Sequence, residues 1–176
     1  ILKIKYTPEY STNMQGETYA GISVNAQFPE TGEINEYYNF RVFANDINIL
    51  SKTEIQNNEG IIELTVNEVV LDTLNDDDNT NDNFIGKPIA GQKLNLNLVH
   101  ITWEKIETGE EYDPINKVVR KTYEYREKKT PAGSATLMTN GNGTARYEFS
   151  VKSGDEGYFM AEVTAKDGNN RTIKND

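Results

Sequence analysis

The feature that most constrains this chain is a strict two-residue alternation within one stretch. Leucine takes every second position and polar residues take the others: Leu94, Leu96 and Leu98 against Lys93, Asn95 and Asn97. Successive side chains of a β-strand point to opposite faces, so this pattern predicts a strand with one buried face. A turn from Gly86 to Gly91, built around Pro88, fixes where the strand begins.

The apolar positions change face towards the end of this strand. Val99, Ile101 and Trp103 are apolar at odd positions, whereas the leucines occupy even ones. We therefore expect the end of the strand to be covered on both sides, with Trp103 buried. A strand of this kind suits the centre of a β-sandwich.

The rest of the chain repeats the same period between turn signals. Alternating stretches occupy residues 19–28, 145–151 and 158–165. Asn140–Gly143 is a strong hairpin signal, because both asparagine and glycine accept positive φ. No 3.6-residue apolar period persists for about 10 residues, so we predict an all-β sandwich without a helix longer than about two turns.

Two hairpins are predicted in addition. Residues 38–44 read as a strand, Asn45 and Asp46 as a tight turn, and residues 47–55 as the partner strand. Residues 104–129 carry many charges and few apolar side chains. This composition predicts a long hairpin that projects from the body of the protein.

The charge balance limits the classes of partner. The 28 acidic and 18 basic residues give a net charge of −10, which argues against binding to nucleic acid or to anionic membranes. There is no cysteine, which excludes a disulfide scaffold, a thiolate nucleophile and a cysteine-ligated metal. No apolar run approaches the roughly 20 residues of a membrane span. The chain begins at Ile1 without an initiator methionine, so we expect a fragment of a longer protein.

Several motifs resemble the Ig-like macroglobulin domains of bacterial alpha-2-macroglobulins. Gly86-Lys-Pro-Ile-Ala-Gly91 is similar to a family turn, and Ile101-Thr-Trp-Glu-Lys105 to a charged-aromatic strand end with its order altered. Further stretches are similar to family motifs: Tyr19-Ala-Gly-Ile22, Thr139–Phe149, Gly157-Tyr-Phe159 and Asp167-Gly-Asn-Asn170. The resemblance covers residues 85–176 well and residues 19–33 weakly.

The resemblance implies an Ig-like or fibronectin-III-like β-sandwich with an inserted β-hairpin. The sandwich would occupy residues 19–176, after a leading strand and loop at residues 1–18. Residues 34–60 have no counterpart in the family and are interpreted as the insertion. In an alternative division, residues 1–70 form a separate small β domain.

The resemblance also implies a function without catalysis. The chain would be a scaffold and interaction module of a larger secreted or periplasmic protein of the cell envelope. Family members trap proteases with a cleavable bait region, and often a Cys-Gly-Glu-Gln thioester, carried in other domains. The expected partners are neighbouring domains of the same polypeptide and, through the parent protein, proteases. No catalytic residue, cofactor or metal is expected, and neither is contact with nucleic acid or a membrane.

The acidic stretch from Asn75 to Asn83 offers carboxylates of the kind that calcium prefers, at Asp76, Asp78 and Asp82. A calcium loop of the EF-hand type starting at Asp76 needs glycine at its sixth position and glutamate at its twelfth. The sequence has asparagine and lysine there. We therefore predict a solvated loop that does not hold calcium tightly.

Two further sets of residues bear on whether the chain could be catalytic. His100 is the single histidine; with no cysteine it does not build a catalytic triad or a metal set, and a structural role is expected. A hydrolase with paired carboxylates is a third hypothesis, drawn from one loop: Glu107, Glu110, Glu111 and Asp113.

The remaining alternative is a carbohydrate-binding or adhesin-type module. Trp103, Tyr123 and Tyr125 would form its aromatic platform for carbohydrate or peptide. The structural interpretation is preferred here: Trp103 caps the core, and the tyrosines pair across the hairpin. The two interpretations differ in whether Trp103 is exposed.

Overall fold

The computed structural model describes residues 15–30, 32–71, 84–152, 154 and 156–176. Within these residues the chain forms β-strands joined by turns: β1 (Glu17–Phe28), β2 (Gly32–Phe43), β3 (Ile47–Gln56), β4 (Glu59–Val69), β5 (Ile85–Pro88), β6 (Lys93–Asp113), β7 (Val118–Met138), β8 (Thr144–Ser150), β9 (Tyr158–Lys166) and β10 (Thr172–Asn175). This part of the chain contains no helix that is long and apolar enough to cross a membrane.

Two antiparallel sheets form a sandwich. In one sheet β4 lies between β3 on one side and, on the other side, β5 and β8 placed end to end. The other sheet has the order β10–β9–β6–β7. In immunoglobulin lettering, β3, β4 and β8 correspond to strands A, B and E, and β10, β9, β6 and β7 correspond to strands G, F, C and C′. The prediction of an all-β, Ig-like sandwich is confirmed.

The core lies between the inner faces of the two sheets. Leu94, Leu96 and Leu98 of β6 are each at most 1% exposed, as the alternation predicted. They pack in one cluster with residues of β3 and β4: Ile47, Ile49, Ile62, Leu64 and Val66. Burying one such side chain stabilises the fold by about 1.5–3 kcal/mol. Strands β3 and β4 therefore contribute to the sandwich core through these five side chains.

The strands β6 and β7 are much longer than the sheet that they help to form. β9 pairs with β6 only from Leu94 to Ile101, whereas β6 and β7 pair with each other along their whole length. Beyond Ile101 they form a two-stranded ribbon, which we call the distal hairpin (residues 102–128). This is the projecting, charged hairpin that the sequence predicted.

The strands β1 and β2 form a second ribbon, paired with each other in full register. The predicted pairing of residues 38–44 with 47–55 is therefore wrong, because β3 instead turns back onto β4 through Asn57 and Asn58. Both asparagines have positive φ, as a two-residue type I′ turn requires. Residues 34–60, expected as one insertion, are divided between the β1–β2 ribbon and the sandwich.

Asn45 and Asp46 cross from this ribbon to the sandwich instead of turning between paired strands. Buried Asn45 donates from Nδ2 to Asp167 Oδ2 (3.0 Å) and accepts at Oδ1 from the Gly16 N–H (2.9 Å). Asp167 also accepts from Arg171 Nε (2.8 Å) and the Arg171 N–H (2.7 Å). Burial alone would raise the pKa of Asp167, but these hydrogen bonds together hold it below its ordinary value. This Asn45–Asp167 junction fixes the base of the β1–β2 ribbon.

Two predicted features lie outside the described residues. One is the leading strand and loop at residues 1–18, of which residues 1–14 are not described. The other is the acidic stretch of residues 75–83 with its candidate calcium ligands: Asp76, Asp78 and Asp82. The statements about these residues stay predictions.

Candidate functional site

Trp103 lies on the distal hairpin just beyond the edge of the sandwich. It is 51% exposed, so the prediction that it caps the core is wrong. Ile101, two residues earlier, is 1% exposed as expected. The difference arises because pairing with β9 begins at Tyr158, opposite Ile101, and does not reach Trp103. The Trp103 ring contacts the Tyr158 ring with centroids 5.7 Å apart.

The strand register places five aromatic rings on one face of these strands. Directly opposite residues of an antiparallel pair share a face, as do residues two apart along one strand. Trp103 lies opposite Glu127. Tyr125 and Tyr123 precede Glu127 at alternate positions of β7, and Tyr158 joins from β9. We call this surface the aromatic face, with the rings of Trp103, Tyr112, Tyr123, Tyr125 and Tyr158.

Tyr112 reaches the aromatic face through a β-bulge. By counting along β6, this even-numbered residue would point away from Trp103. However, the register shifts by one residue between Glu107 and Gly109. Tyr112 consequently lies opposite Val119, which shares the ring-bearing face of β7. A glycine inside a strand is the sequence signal for such a bulge.

The five rings of the aromatic face are all exposed. Besides the contact between Trp103 and Tyr158, the Nζ atom of Lys105 lies 3.8 Å from the Tyr123 ring centroid. A cation–π contact at an exposed site is worth about 0.5–1 kcal/mol. Tyr125, which lies opposite Lys105, keeps 63% of its surface exposed. The five rings therefore offer apolar surface to solvent, and contacts restrain Trp103, Tyr158 and Tyr123 among them.

Charged side chains lie among the rings, and their formal charges cancel. The register puts three lysines and three glutamates on this face: Lys105, Lys121, Lys129, Glu107, Glu110 and Glu127. Lys121 Nζ lies 2.8 Å from Glu107 Oε2, and Lys129 Nζ lies 3.3 Å from Glu127 Oε1. Exposed ion pairs contribute only about 0–1 kcal/mol to stability. The aromatic face is thus neutral, on a chain whose net charge is −10.

His100 packs at the end of the sandwich. Its ring stacks on Phe159, with centroids 4.5 Å apart and an interplanar angle of 12°. Its Nε2 atom lies 2.8 Å from the carbonyl oxygen of Glu156. These contacts fit the structural role that was expected from the sequence.

The four carboxylates between residues 107 and 113 divide between the two faces of the distal hairpin. Asp113 shapes its tip: Oδ1 accepts from the N–H groups of Ile115 (3.0 Å) and Asn116 (3.1 Å). The hydrogen bond from the Asn116 side chain is the main cause that lowers the pKa of Asp113. Asp113 is thereby an ionised turn residue. Among the described residues, no group of three or more histidine, aspartate or glutamate side chains is placed to hold a metal ion.

A cavity of about 520 Å³ opens between the two sheets near the β3–β4 turn. Its lining is mostly apolar and includes Ile55, Ile61, Phe149 and Phe159. The rings of Phe149 and Phe159, one from each sheet, touch there with centroids 5.0 Å apart. Sequence reasoning did not find this cavity, because its lining comes from strands of both sheets and alternation within one strand gives no sign of it.

Comparison with known proteins gives one similar structure. No family model matches the sequence, and neither does any curated protein. The structure is a crystal structure of Salmonella alpha-2-macroglobulin reacted with methylamine, with 11% sequence identity and a TM-score of 0.49. The similarity covers 94% of this chain and 10% of that chain. A match at this level does not assign the chain to a family.

Proposed function

We propose that this chain is a non-catalytic scaffold and interaction module of a larger secreted or envelope protein resembling alpha-2-macroglobulin. The observation that supports an interaction role is the β1–β2 ribbon. Its register gathers apolar side chains on one face, on which Glu36, opposite Val24, is the charged exception: Ala20, Ile22, Val24, Ala26, Phe28, Ile34, Tyr38 and Phe40. The larger of them along the outer part of the ribbon are exposed, including Ile22, Val24 and Phe28.

The apolar face of the β1–β2 ribbon is the kind of surface that another domain covers. An isolated two-stranded hairpin is marginally stable in water. Contiguous exposed apolar surface on a soluble protein marks an interaction site. Neighbouring domains of the same polypeptide are the partners that we propose for the apolar face. In a macroglobulin-like parent, proteases would meet the assembled protein through domains outside this chain.

The family part of the proposal rests on the sequence motifs. Gly86–Gly91 forms the approach to β6, and Thr139–Phe149 contains the turn between β7 and β8 together with most of β8. Both are among the stretches that resemble macroglobulin domains. The non-catalytic part is supported by the use of His100 in packing and of Asp113 in a turn.

Hydrogen exchange in the parent protein tests the proposal. The gene that contains this chain is expressed in full, and amide exchange is compared with that of the 176-residue chain alone. We expect the amides of residues 20–28 and 32–40 to exchange at least about tenfold more slowly in the parent, because a neighbouring domain covers the ribbon. The amides of residues 94–98, buried in both proteins, are the internal control.

The opposite result is equally specific. Equal exchange of the ribbon amides in the two proteins, with the control amides protected in both, would show that no domain covers the ribbon. The sequence of the same gene gives a second check, since the proposal requires further Ig-like domains beside this one.

A further inference from the structure

We propose that the aromatic face binds an extended, uncharged glycan chain, with Trp103, Tyr125 and Tyr158 as successive stacking rings, of which Trp103 and Tyr158 are tilted by 45° to each other. This inference does not depend on the scaffold function or on the identity of the parent protein. It rests on the position of the rings, the shape of the distal hairpin and the cancelled charge of the face.

The chemistry of the side chains matches the two surfaces of a sugar. A pyranose ring has an apolar face of C–H groups and a rim of hydroxyl groups that both donate and accept hydrogen bonds. Tryptophan and tyrosine supply rigid apolar contact at low cost in conformational entropy. Lysines donate and glutamates accept beside the rings, at Lys105, Glu107 and Glu127. Both parts of a sugar therefore find partners on the aromatic face.

The shape of the face favours a linear polymer over a compact ligand. Nine residues separate Trp103 from Tyr112 along β6, which at about 3.3 Å a residue is roughly 30 Å. Rings recur over that length, from Tyr158 at the sandwich edge to Tyr112 near the tip. Compact ligands are held in concave pockets that bury most of their surface. A long ribbon with rings along it instead suits several consecutive sugar units.

The charge of the face selects an uncharged chain. Three lysines and three glutamates cancel on the aromatic face, and the chain as a whole carries −10. Single-stranded nucleic acids also stack on aromatic side chains, but they require a positively charged track for their phosphates. Sulfated or uronic-acid polymers would meet the same unfavourable field.

A proline-rich peptide is a further class of ligand that docks on exposed aromatic rings. It would use the rings and offer carbonyl acceptors to the lysines, but it would give the glutamates no hydrogen-bond donor, because proline lacks an N–H. Sugar hydroxyls can bond to both the ammonium and the carboxylate groups. The observations therefore favour a glycan, and a polyproline peptide serves as a competing probe.

Affinity electrophoresis of the 176-residue chain tests the proposal. Native gels contain β-1,4-glucan, β-1,3-glucan, mannan or xylan, and a hexasaccharide of any polymer that retards the protein is titrated by calorimetry. We expect retardation by at least one of these polymers. Trp103→Ala should weaken the hexasaccharide about tenfold or more, as expected for a central aromatic anchor. Tyr125→Ala should weaken it less, because its neighbouring rings remain.

Control variants separate binding from folding. Tyr19→Ala on the β1–β2 ribbon removes a ring that is 62% exposed, against 63% for Tyr125, and should leave retardation unchanged. Trp103→Phe keeps a ring and should retain most of the affinity. Circular dichroism melts confirm that each variant is folded.

Four results would overturn the proposal. They are the absence of retardation by every uncharged polymer, equal affinity of Trp103→Ala and the unmodified chain, binding to heparin alone, and binding to the polyproline peptide alone. The last two would assign the aromatic face to a different class of ligand. The exchange experiment on the β1–β2 ribbon is unaffected by any of them, so the two proposals fail separately.

Discussion

The two ribbons that leave this sandwich are built on opposite plans. Apart from Glu36, the β1–β2 ribbon carries aliphatic and aromatic side chains on one face of residues 20–28 and 34–40. The distal hairpin mixes exposed rings with lysines and glutamates on one face. The first arrangement is typical of a surface that another protein surface covers. The second keeps every apolar group beside a charged one, which suits a surface that remains in water.

The ribbons also differ in how they are attached. The distal hairpin is a continuation of two strands whose inner ends lie in the core, so it shares their stability. The β1–β2 ribbon depends on the Asn45–Asp167 junction and on Arg41. The guanidinium of Arg41 lies 4.7 Å from the ring centroid of buried Phe84, and its Nε atom is 2.7 Å from Glu17 Oε1. We infer that the β1–β2 ribbon can loosen as a unit without unfolding the sandwich, whereas the root of the distal hairpin cannot separate without disturbing β6 and β7 in the core.

The largest expected effect comes from the core that supports the distal hairpin. Leu96→Ala should lower the free energy of unfolding by about 2–5 kcal/mol, because it leaves a cavity at a fully buried position. That is a large part of the roughly 5–15 kcal/mol available to a domain. Urea melts followed by circular dichroism measure it.

The control for Leu96→Ala is a substitution on the β1–β2 ribbon. Ile22→Ala removes an exposed side chain and should change the free energy of unfolding by at most about 0.5 kcal/mol. If the two substitutions cost the same, the β1–β2 ribbon would belong to the cooperative core, and the contrast between the ribbons would not hold.

The next effect concerns the junction at the base of the β1–β2 ribbon. Asp167→Ala removes the acceptor of four hydrogen bonds, from Asn45, Asn169 and, twice, Arg171. The loss should be about 1–3 kcal/mol, with faster amide exchange in residues 20–28. Unchanged exchange in that ribbon would show that the junction does not hold it.

The pH dependence of the same junction has a definite sign. The pKa of Asp167 is lower in the folded protein than its ordinary value. A carboxyl group of this kind contributes stability that is fully present above its unfolded pKa, about 4, and is lost as the pH falls through the folded value. The stability difference between the unmodified chain and Asp167→Ala should therefore shrink below about pH 4. A difference that stays constant down to pH 2 would contradict this assignment.

The sequence predicted those parts of the fold that depend on one strand at a time. Alternation in residues 93–98 gave the buried face of β6, and the charge density of residues 104–129 gave the projecting hairpin. The partner of residues 38–44 was not predictable in this way. Alternation states which residues share a face, but it does not state which strand lies beside them. Asn45, which was read as part of a tight turn, instead uses its side chain to hydrogen-bond Gly16 and Asp167 at the base of the β1–β2 ribbon.

The aromatic face shows a similar division. That Trp103, Tyr123 and Tyr125 could act together was visible from their positions, and the alternative function followed from it. The exposure of Trp103 was not visible, because it depends on where β9 begins. Tyr158 and Tyr112 were missed for related reasons. The first comes from another strand, and the second changes face at a bulge marked only by Gly109.

A smaller effect tests the exposure of Trp103 directly. Trp103→Ala should lower the free energy of unfolding by at most about 1 kcal/mol, because half of the side chain is already in water. As the single tryptophan, Trp103 should show red-shifted, solvent-like emission in the folded chain. Blue-shifted emission together with a loss of about 3 kcal/mol or more would restore the buried position first expected for it.

The smallest effect compares one ion pair from each ribbon. A double-mutant cycle with Glu107→Gln and Lys121→Gln should give a coupling of about 0.5 kcal/mol or less, because both groups are exposed. It should disappear in 1 M salt, where the screening length falls to about 3 Å. The cycle with Glu17→Gln and Arg41→Gln should give a larger coupling that persists in salt. The Arg41 side chain is only 7% exposed, so solvent ions screen it poorly. Equal couplings would mean that solvent screens the ion pair at the β1–β2 base as strongly as the one on the distal hairpin. The two ribbons would then not differ in their electrostatics.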